Sequence, residues 1–238
     1  MKIGIFADIH GNATALEAVM EDCRKRGIYS FILLGDLFAK GPGPEKVYRL
    51  LGKCNIAENI IGNTEKWFME KKLSERQKEL VKYGIDAFPE IKDFINRMKE
   101  QVIWKLPGKN ILLVHYWPRN LSKAERIDYL HKNSIDIVIS AHTHIPVEIR
   151  KNKNCVTDKI WFINPGSIGA PYDSDRRGSY GILTVGKDIH FEVIRITYDY
   201  EKEIREAYQR KIPFVYEYSR TVYNAEKMKY TNPVNILR

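Results

Sequence analysis

The sequence predicts an α/β fold, with short buried strands alternating with helices around one large core. Three observations carry this expectation. Apolar, β-branched runs alternate with helix-period segments through residues 1–150. Five apolar runs, FILLGD, AENIIGN, NILLVH, DIVISAH and, beyond that stretch, WFINPGS, end in a residue of ligand or turn character. The chain has 238 residues, 44% of them hydrophobic, which is enough to bury one sizeable core.

KIGIF, at the N-terminus, has the composition of a first strand. The helix after it is expected to open on a Thr14-x-x-Glu17 capping box, to carry Leu16, Val19, Met20 and Cys23 on one face, and to close at Gly27. A charged, helix-period insert at about residues 66–100 reads as two helices broken near Pro89. SYGILTV and IHFEVIRI form a pair of strands, and DYEKEIREAYQR forms a helix. The division expected is a domain over 1–200 that includes the insert, then a C-terminal helix and extended tail over 201–238. From Ile212 no period is evident, and the tail is expected to be an arm on the body or on a second copy, which leaves a homodimer open.

Composition narrows the function classes. The apolar stretch before Asp8 is too short for a signal-peptide core or a membrane span, so the expectation is a cytoplasmic protein without a membrane partner. Cys23, Cys54 and Cys155 are odd in number and widely spaced, which fits free thiols and neither a disulfide framework nor a zinc knuckle. A net charge of +9 favours acidic partners such as nucleotides or nucleic acid, but a lysine-rich surface gives the same number.

The chemistry lies at the strand ends. Asp8 and His10 are two residues apart, which puts both side chains on one side of an extended chain. Gly35-Asp36, Gly62-Asn63, His115 and His142-x-His144 follow, each directly after a strand-like run. In open α/β sheets such ends converge on one site. Two Asp, one Asn and four His suit manganese, iron, zinc, cobalt or nickel and suit calcium or copper(I) poorly. Seven ligands exceed one ordinary ion. They are natural for two ions roughly 3.5–4 Å apart that share a carboxylate, the arrangement used for in-line displacement at phosphorus.

This order of motifs, together with DIHGNATALEAV, LLGDLFAKGPGPEKV and NPGSIGAPYDSDRRGSYGIL, resembles the calcineurin-like metallophosphoesterases, in their compact bacterial and archaeal branch. The resemblance spans roughly residues 1–200. It implies a four-layer α-β-β-α sandwich built on two mixed β-sheets. It also implies one metal held by Asp8, His10, Asp36 and His144 and another by Asp36, Asn63, His115 and His142, with Asp36 as the bridge. The cofactor implied is a pair of divalent transition-metal ions, manganese first. Asp36, Asn63 and His115 become the candidate catalytic residues. Asn12, Arg176 and Arg177 are candidate contacts to substrate, the arginines as clamps on phosphate or as an exposed turn paired with Asp173 or Asp175.

Other residues shape or test this reading. Gly11, Gly35 and Gly62 flank proposed ligands and allow backbone to approach metal or phosphate. Asn164-Pro165-Gly166-Ser167 is expected to shape the wall of the site without binding metal. Much of the superfamily has a histidine after the Gly-Asn asparagine, where this chain has Thr64 followed by Glu65. Threonine is no general acid near neutral pH, so leaving-group protonation is in doubt and a histidine there should help alkyl esters most. Tyr116 and Trp117 either narrow the pocket or pack beneath Pro118. In the insert, Lys66, Lys71, Lys72, Arg76, Lys78 and Lys82 interleave with Glu65, Glu70, Glu75 and Glu79, a pattern of i,i+4 pairs more than a nucleic-acid stripe.

The function expected is hydrolysis of phosphodiesters or phosphomonoesters by in-line attack of a metal-bridging hydroxide on a phosphorylated small molecule or nucleotide. The alternatives are a nucleotide or dinucleoside polyphosphate hydrolase, or a protein phosphatase. A non-enzymatic scaffold on the same fold predicts substitutions among the seven ligand positions, and the chain has none.

Overall fold

The computed structural model describes residues 1–117, 121–150 and 160–227. Two five-stranded sheets face one another. The first contains β1 (Lys2–Phe6), β2 (Ser30–Leu33), β3 (Asn55–Asn59), β9 (Gly178–Val185) and β10 (Ile189–Ile196) in the order β10-β9-β1-β2-β3. The second contains β4 (Gln101–Leu106), β5 (Lys109–Val114), β6 (Ile137–Ile139), β7 (Val147–Ile149) and β8 (Trp161–Asn164) in the order β4-β5-β6-β8-β7. Both are mixed. β1, β2 and β3 run parallel with β9 antiparallel to β1, while β5, β6 and β8 run parallel between antiparallel β4 and β7.

Strand periodicity divides the core into layers. Ile3 and Ile5 of β1 meet Ile111 and Leu113 of β5 and Ile137 and Ile139 of β6 between the sheets. The intervening Leu112 of β5 turns outward, onto Leu130 of α6 (Lys123–Lys132). Phe6 likewise joins Leu16 and Val19 of α1 (Ala13–Lys25). Continuous burial on both faces explains why the central strands read as apolar runs and not as alternating ones. The result is the four-layer α-β-β-α arrangement.

The helices differ from expectation in three places. Asn12, not Thr14, caps α1: its side-chain oxygen accepts from Ala15 N at 2.9 Å, and Thr14 is buried within the first turn. The insert holds α4 (Glu75–Ala87) and α5 (Ile91–Ile95), broken around Pro89 as expected, but a further short helix, α3 (Asn63–Trp67), precedes them. The stretch after Ile212 is not wholly aperiodic: α8 (Val215–Asn224) docks against α7 (Tyr200–Gln209), with Val222 and Ala207 fully buried. Glu203 of α7 is buried there and accepts from Tyr218 Oη at 2.7 Å. Burial pushes its carboxyl up to about 7, against hydrogen bonds from Thr14 and Tyr218. The remainder of the tail, 228–238, and Cys155 lie outside the described residues. Cys23 and Cys54 are free thiols. No helix among the described residues is long and apolar enough to cross a membrane.

Candidate metal centre

Each of the seven proposed ligands sits just beyond the carboxyl end of a parallel strand: Asp8 and His10 after β1, Asp36 after β2, Asn63 after β3, His115 after β5, His142 and His144 after β6. The loops leaving β1 and β2 are laced together by Asp8 N to Gly35 O, His10 N to Asp36 O and Gly11 N to Leu37 O, all 2.9–3.0 Å. Gly35 takes φ +88°, and a Cβ on it would overlap the backbone of Gly62. A Cβ on Gly62 would overlap the Asp36 carboxylate, so this close packing of turns requires glycine at both positions. Five of the ligands themselves adopt left-handed backbone: Asp8 (φ 51°), His10 (50°), Asp36 (55°), His142 (72°) and His144 (61°). Such values are rare outside glycine and mark a backbone held in place by its surroundings.

The side chains gather into two groups. The ligand atoms of Asp8, His10, Asp36 and His144 lie within 4.8 Å of one another, and so do those of Asp36, His115 and His142. Asp36 belongs to both. Its Oδ2 is 3.5 Å from His10 Nε2 and its Oδ1 3.6 Å from His115 Nε2. Asn63 Oδ1 adjoins the second group, 3.2 Å from His115 Nε2 and 2.7 Å from His142 Nδ1.

Hydrogen bonding around these groups suits a cation. The Nδ1 atoms of His10, His115 and His144 face the carbonyl oxygens of Ala39, Leu34 and Ala170, so each ring gives its proton there and turns the Nε2 lone pair inward. His10 Nε2 and His144 Nε2 then stand 3.2 Å apart, lone pair against lone pair. Among the described residues Asp8 Oδ1 is buried without a hydrogen-bond donor, 3.3 Å from His144 Nε2. Burial, then Lys40, lowers His10 to about 3, and burial, then His10, holds His144 well below the usual imidazole range. Asp8 is raised by burial and by neighbouring Asp36. Neutral imidazoles around buried carboxylates have the donor chemistry of a transition-metal site, and a divalent ion would supply the missing positive charge.

Further residues hold the ligands. Thr64 is fully buried and donates to Asp36 Oδ1 twice, from its N–H at 2.8 Å and from Oγ1 at 2.9 Å. It faces the shared carboxylate, not the cleft. Glu65, also fully buried, accepts from the backbone N–H groups of Asp36, Leu37 and Gly62 at 2.7–3.0 Å, so it ties the β2 and β3 loops together and leaves the surface stripe assigned to the insert. Asn164 donates to Ala141 O and Thr143 Oγ1, and Ser167 Oγ to Asp8 O, which fixes the His142-x-His144 turn and the end of β1.

The candidate substrate contacts fall outside the cluster. Asn12 is fully buried, with its oxygen spent on the α1 cap and its amide donated to Gly169 O and Tyr198 Oη. Arg177 pairs with Asp175 at 2.7 Å, and Arg176 stacks over the rings of Tyr200 and Tyr223. Tyr116 leans on His142 with ring centres 5.0 Å apart, whereas Trp117 packs on Tyr129 of α6. Two residues beside the cluster were not evident from sequence. Tyr172 lies flat on His144 at 4.0 Å, and half-buried Lys40 brings Nζ to 3.3 Å from His10 Nε2. Neither ends a strand-like run, the one signal that sequence offered.

Residues 1–188 match the family model of the calcineurin-like phosphoesterase superfamily domain. The chain belongs to that superfamily. An uncharacterized protein of Methanocaldococcus jannaschii is 29% identical over 232 residues, covering 89% of this chain and 93% of its own. Phosphodiesterase YfcE of Escherichia coli is 28% identical over 194 residues, 77% of this chain and 87% of YfcE. The structure of a metallophosphoesterase from Sphaerobacter thermophilus superposes with a TM-score of 0.73 at 23% identity, over 94% of this chain and 99% of that one. This phosphoesterase domain is that of a hydrolase acting on phosphoester bonds, and its family implies divalent metal ions and a phosphorylated substrate.

Proposed function

We propose that the chain hydrolyses phosphodiesters or phosphomonoesters by in-line attack of hydroxide on phosphorus, with two divalent ions, manganese first among iron, zinc, nickel and cobalt. Asp8, His10, Asp36 and His144 would hold one ion, and Asp36, Asn63, His115 and His142 the other. When bound, such a pair acidifies water, orients the phosphate and absorbs transition-state charge. The observation that carries the reading is the single Asp36 carboxylate directed at both groups, one oxygen towards each. The protein's own part is positional. Thr64 aims the carboxylate and the three carbonyls set the imidazole tautomers.

The engagement of Arg176, Arg177 and Asn12 elsewhere supports giving them the task of holding loops. With position 64 turned away from the cleft, departure of the leaving group rests on its own acidity. Metal analysis followed by a panel of phosphate esters, each with added manganese, iron, zinc, nickel or cobalt, tests the proposal. Turnover of an aryl phosphodiester with about two bound ions per chain is expected. A fully folded protein that binds these ions and cleaves no ester of the panel would overturn it. Sequence similarity to a phosphodiesterase over most of the chain supports the diester reading.

A further inference from the structure

A cleft of about 110 Å³ opens beside His10, between α4 of the insert and α8 of the C-terminal segment. The strand-end loops form one wall through His10, Lys40 and Tyr172 and the two helices form the other, and its charge is mostly positive. Among the described residues Lys40, Arg76 and Lys227 line it against one carboxylate, Glu217, which Arg76 Nη1 approaches at 3.7 Å. The Arg76 guanidinium also lies 3.7 Å over the ring of Phe214, another residue of the cleft wall. Tyr172 forms the side next to His144.

Lys40 is the informative residue. Its ammonium is in contact with His10 Nε2 at 3.3 Å and not with a carboxylate. That imidazole lone pair is the one a metal ion would take; the ion would also engage the Asp8 and Asp36 carboxylates that now attract the Lys40 ammonium, which would then favour an added anion. Space of this size admits a phosphoryl group and is far below the several hundred Å³, roughly 300–1,000 Å³, of sites that enclose a nucleoside-sized ligand.

We propose that this cleft seats a second phosphoryl group of the substrate, held by Lys40, Arg76 and Lys227 while the first lies at the metal centre. The inference rests on the two-metal reading above. It narrows the substrate class to compounds with two adjacent phosphoryl groups, phosphoanhydrides above all, in preference to simple monoesters and diesters.

The test uses the full chain loaded with manganese, with methylenediphosphonate as a pyrophosphate that does not hydrolyse and inorganic phosphate as the single-group control. Dissociation constants come from calorimetry for the wild type, Lys40→Met and Arg76→Gln, each checked for metal content and for a cooperative melt. The wild type is expected to prefer the diphosphonate by tenfold or more, and each variant to lose roughly tenfold in diphosphonate affinity, the loss of about one charge-assisted bond, with a smaller change for phosphate. Equal preference in the wild type and both variants would overturn the proposal, as would a wild type that binds the two probes alike. Turnover of bis(4-nitrophenyl) phosphate and of pyrophosphate by the same samples separates the two readings. An enzyme that cleaves this diester without any diphosphonate preference loses only the second-phosphoryl seat, and one that cleaves neither the diester nor pyrophosphate loses the metal-centre reading itself.

Discussion

Replacing Thr64 by valine tests whether this residue serves the chemistry directly or through Asp36. The two side chains have nearly the same shape, so the change removes a hydroxyl and little packing. What is lost is a 2.9 Å hydrogen bond to a buried carboxylate, while the 2.8 Å backbone bond remains. A bond to a charged acceptor contributes about 1.5–3 kcal/mol. For a chain of this size each kcal/mol moves the melting temperature by about 2–4 °C, so a fall of roughly 3–12 °C is expected. Catalysis should fall as well, because an Asp36 freed to rotate no longer faces His10 and His115 together. The assay pairs thermal melts, with and without manganese, with kcat/KM for an aryl diester and an alkyl monoester. Both substrates should lose by a similar factor. Thr64→His, which the sequence marks as a means of restoring a general acid, should by the same reasoning lower metal content and activity on every ester, since position 64 has no exposure to admit a ring. An unchanged melt and kcat/KM in Thr64→Val, or faster alkyl hydrolysis in Thr64→His, would refute the positioning role.

Asp36→Asn should lose more than a hundredfold in turnover, on the order of the removal of a principal charge-stabilising group, and more than any substitution on the exposed face of α4, with the circular dichroism of the wild type retained. Arg177→Ala removes an exposed pair with Asp175 and should change KM less than about twofold; a KM raised tenfold would instead make this guanidinium a clamp on substrate. Glu203 binds its proton more tightly in the folded chain than in the unfolded one, so its contribution to stability is present at low pH and is lost as pH rises from the unfolded value near 4.5 to about 7. Glu203→Gln should therefore flatten the decline of denaturant stability between pH 5 and 8 and gain up to about 3 kcal/mol at the upper end, an upper bound from the shift; an unaltered slope would assign the decline to other groups. Aryl phosphates and phosphoanhydrides should be hydrolysed much faster than alkyl phosphates, and a shallow dependence of kcat/KM on leaving-group acidity would reveal a proton donor not identified above.

The strands and the cluster at their ends were legible because both depend on short-range pattern. β5 and β6 are buried on two faces and read as unbroken apolar runs, and the ligands follow them directly in sequence. α8 was missed because VYEYSRTVYN is rich in β-branched and aromatic residues, which read against a helix. Its buried residues Tyr218, Ser219 and Val222 nevertheless keep helical spacing. Thr64, Glu65 and Lys40 could not be assigned from sequence, since their partners come from loops 28 to 30 residues away. A threonine, a glutamate and a lysine are ordinary on any loop, and only the crossing of the β1, β2 and β3 turns gives each a particular task. In the YDSDRRGS loop the pairing of Arg177 with Asp175 was legible because both lie in one turn, whereas the rings of α7 and α8 that receive Arg176 are announced by no local pattern.

The left-handed backbone at five of the ligands has a consequence for how long the folded chain persists. A non-glycine residue in that conformation costs up to about 1–2 kcal/mol, less for Asp and His than for bulkier residues, and five of them in one site draw on the small net stability of the domain. Side chains that crowd lone pair against lone pair add to the cost until a cation arrives. Ion binding is therefore coupled to persistence as well as to turnover, because a ligand that binds only the folded state stabilises it by mass action. Stripping divalent ions should therefore lower the melting temperature of the chain, and a melt unchanged by added manganese would refute this coupling.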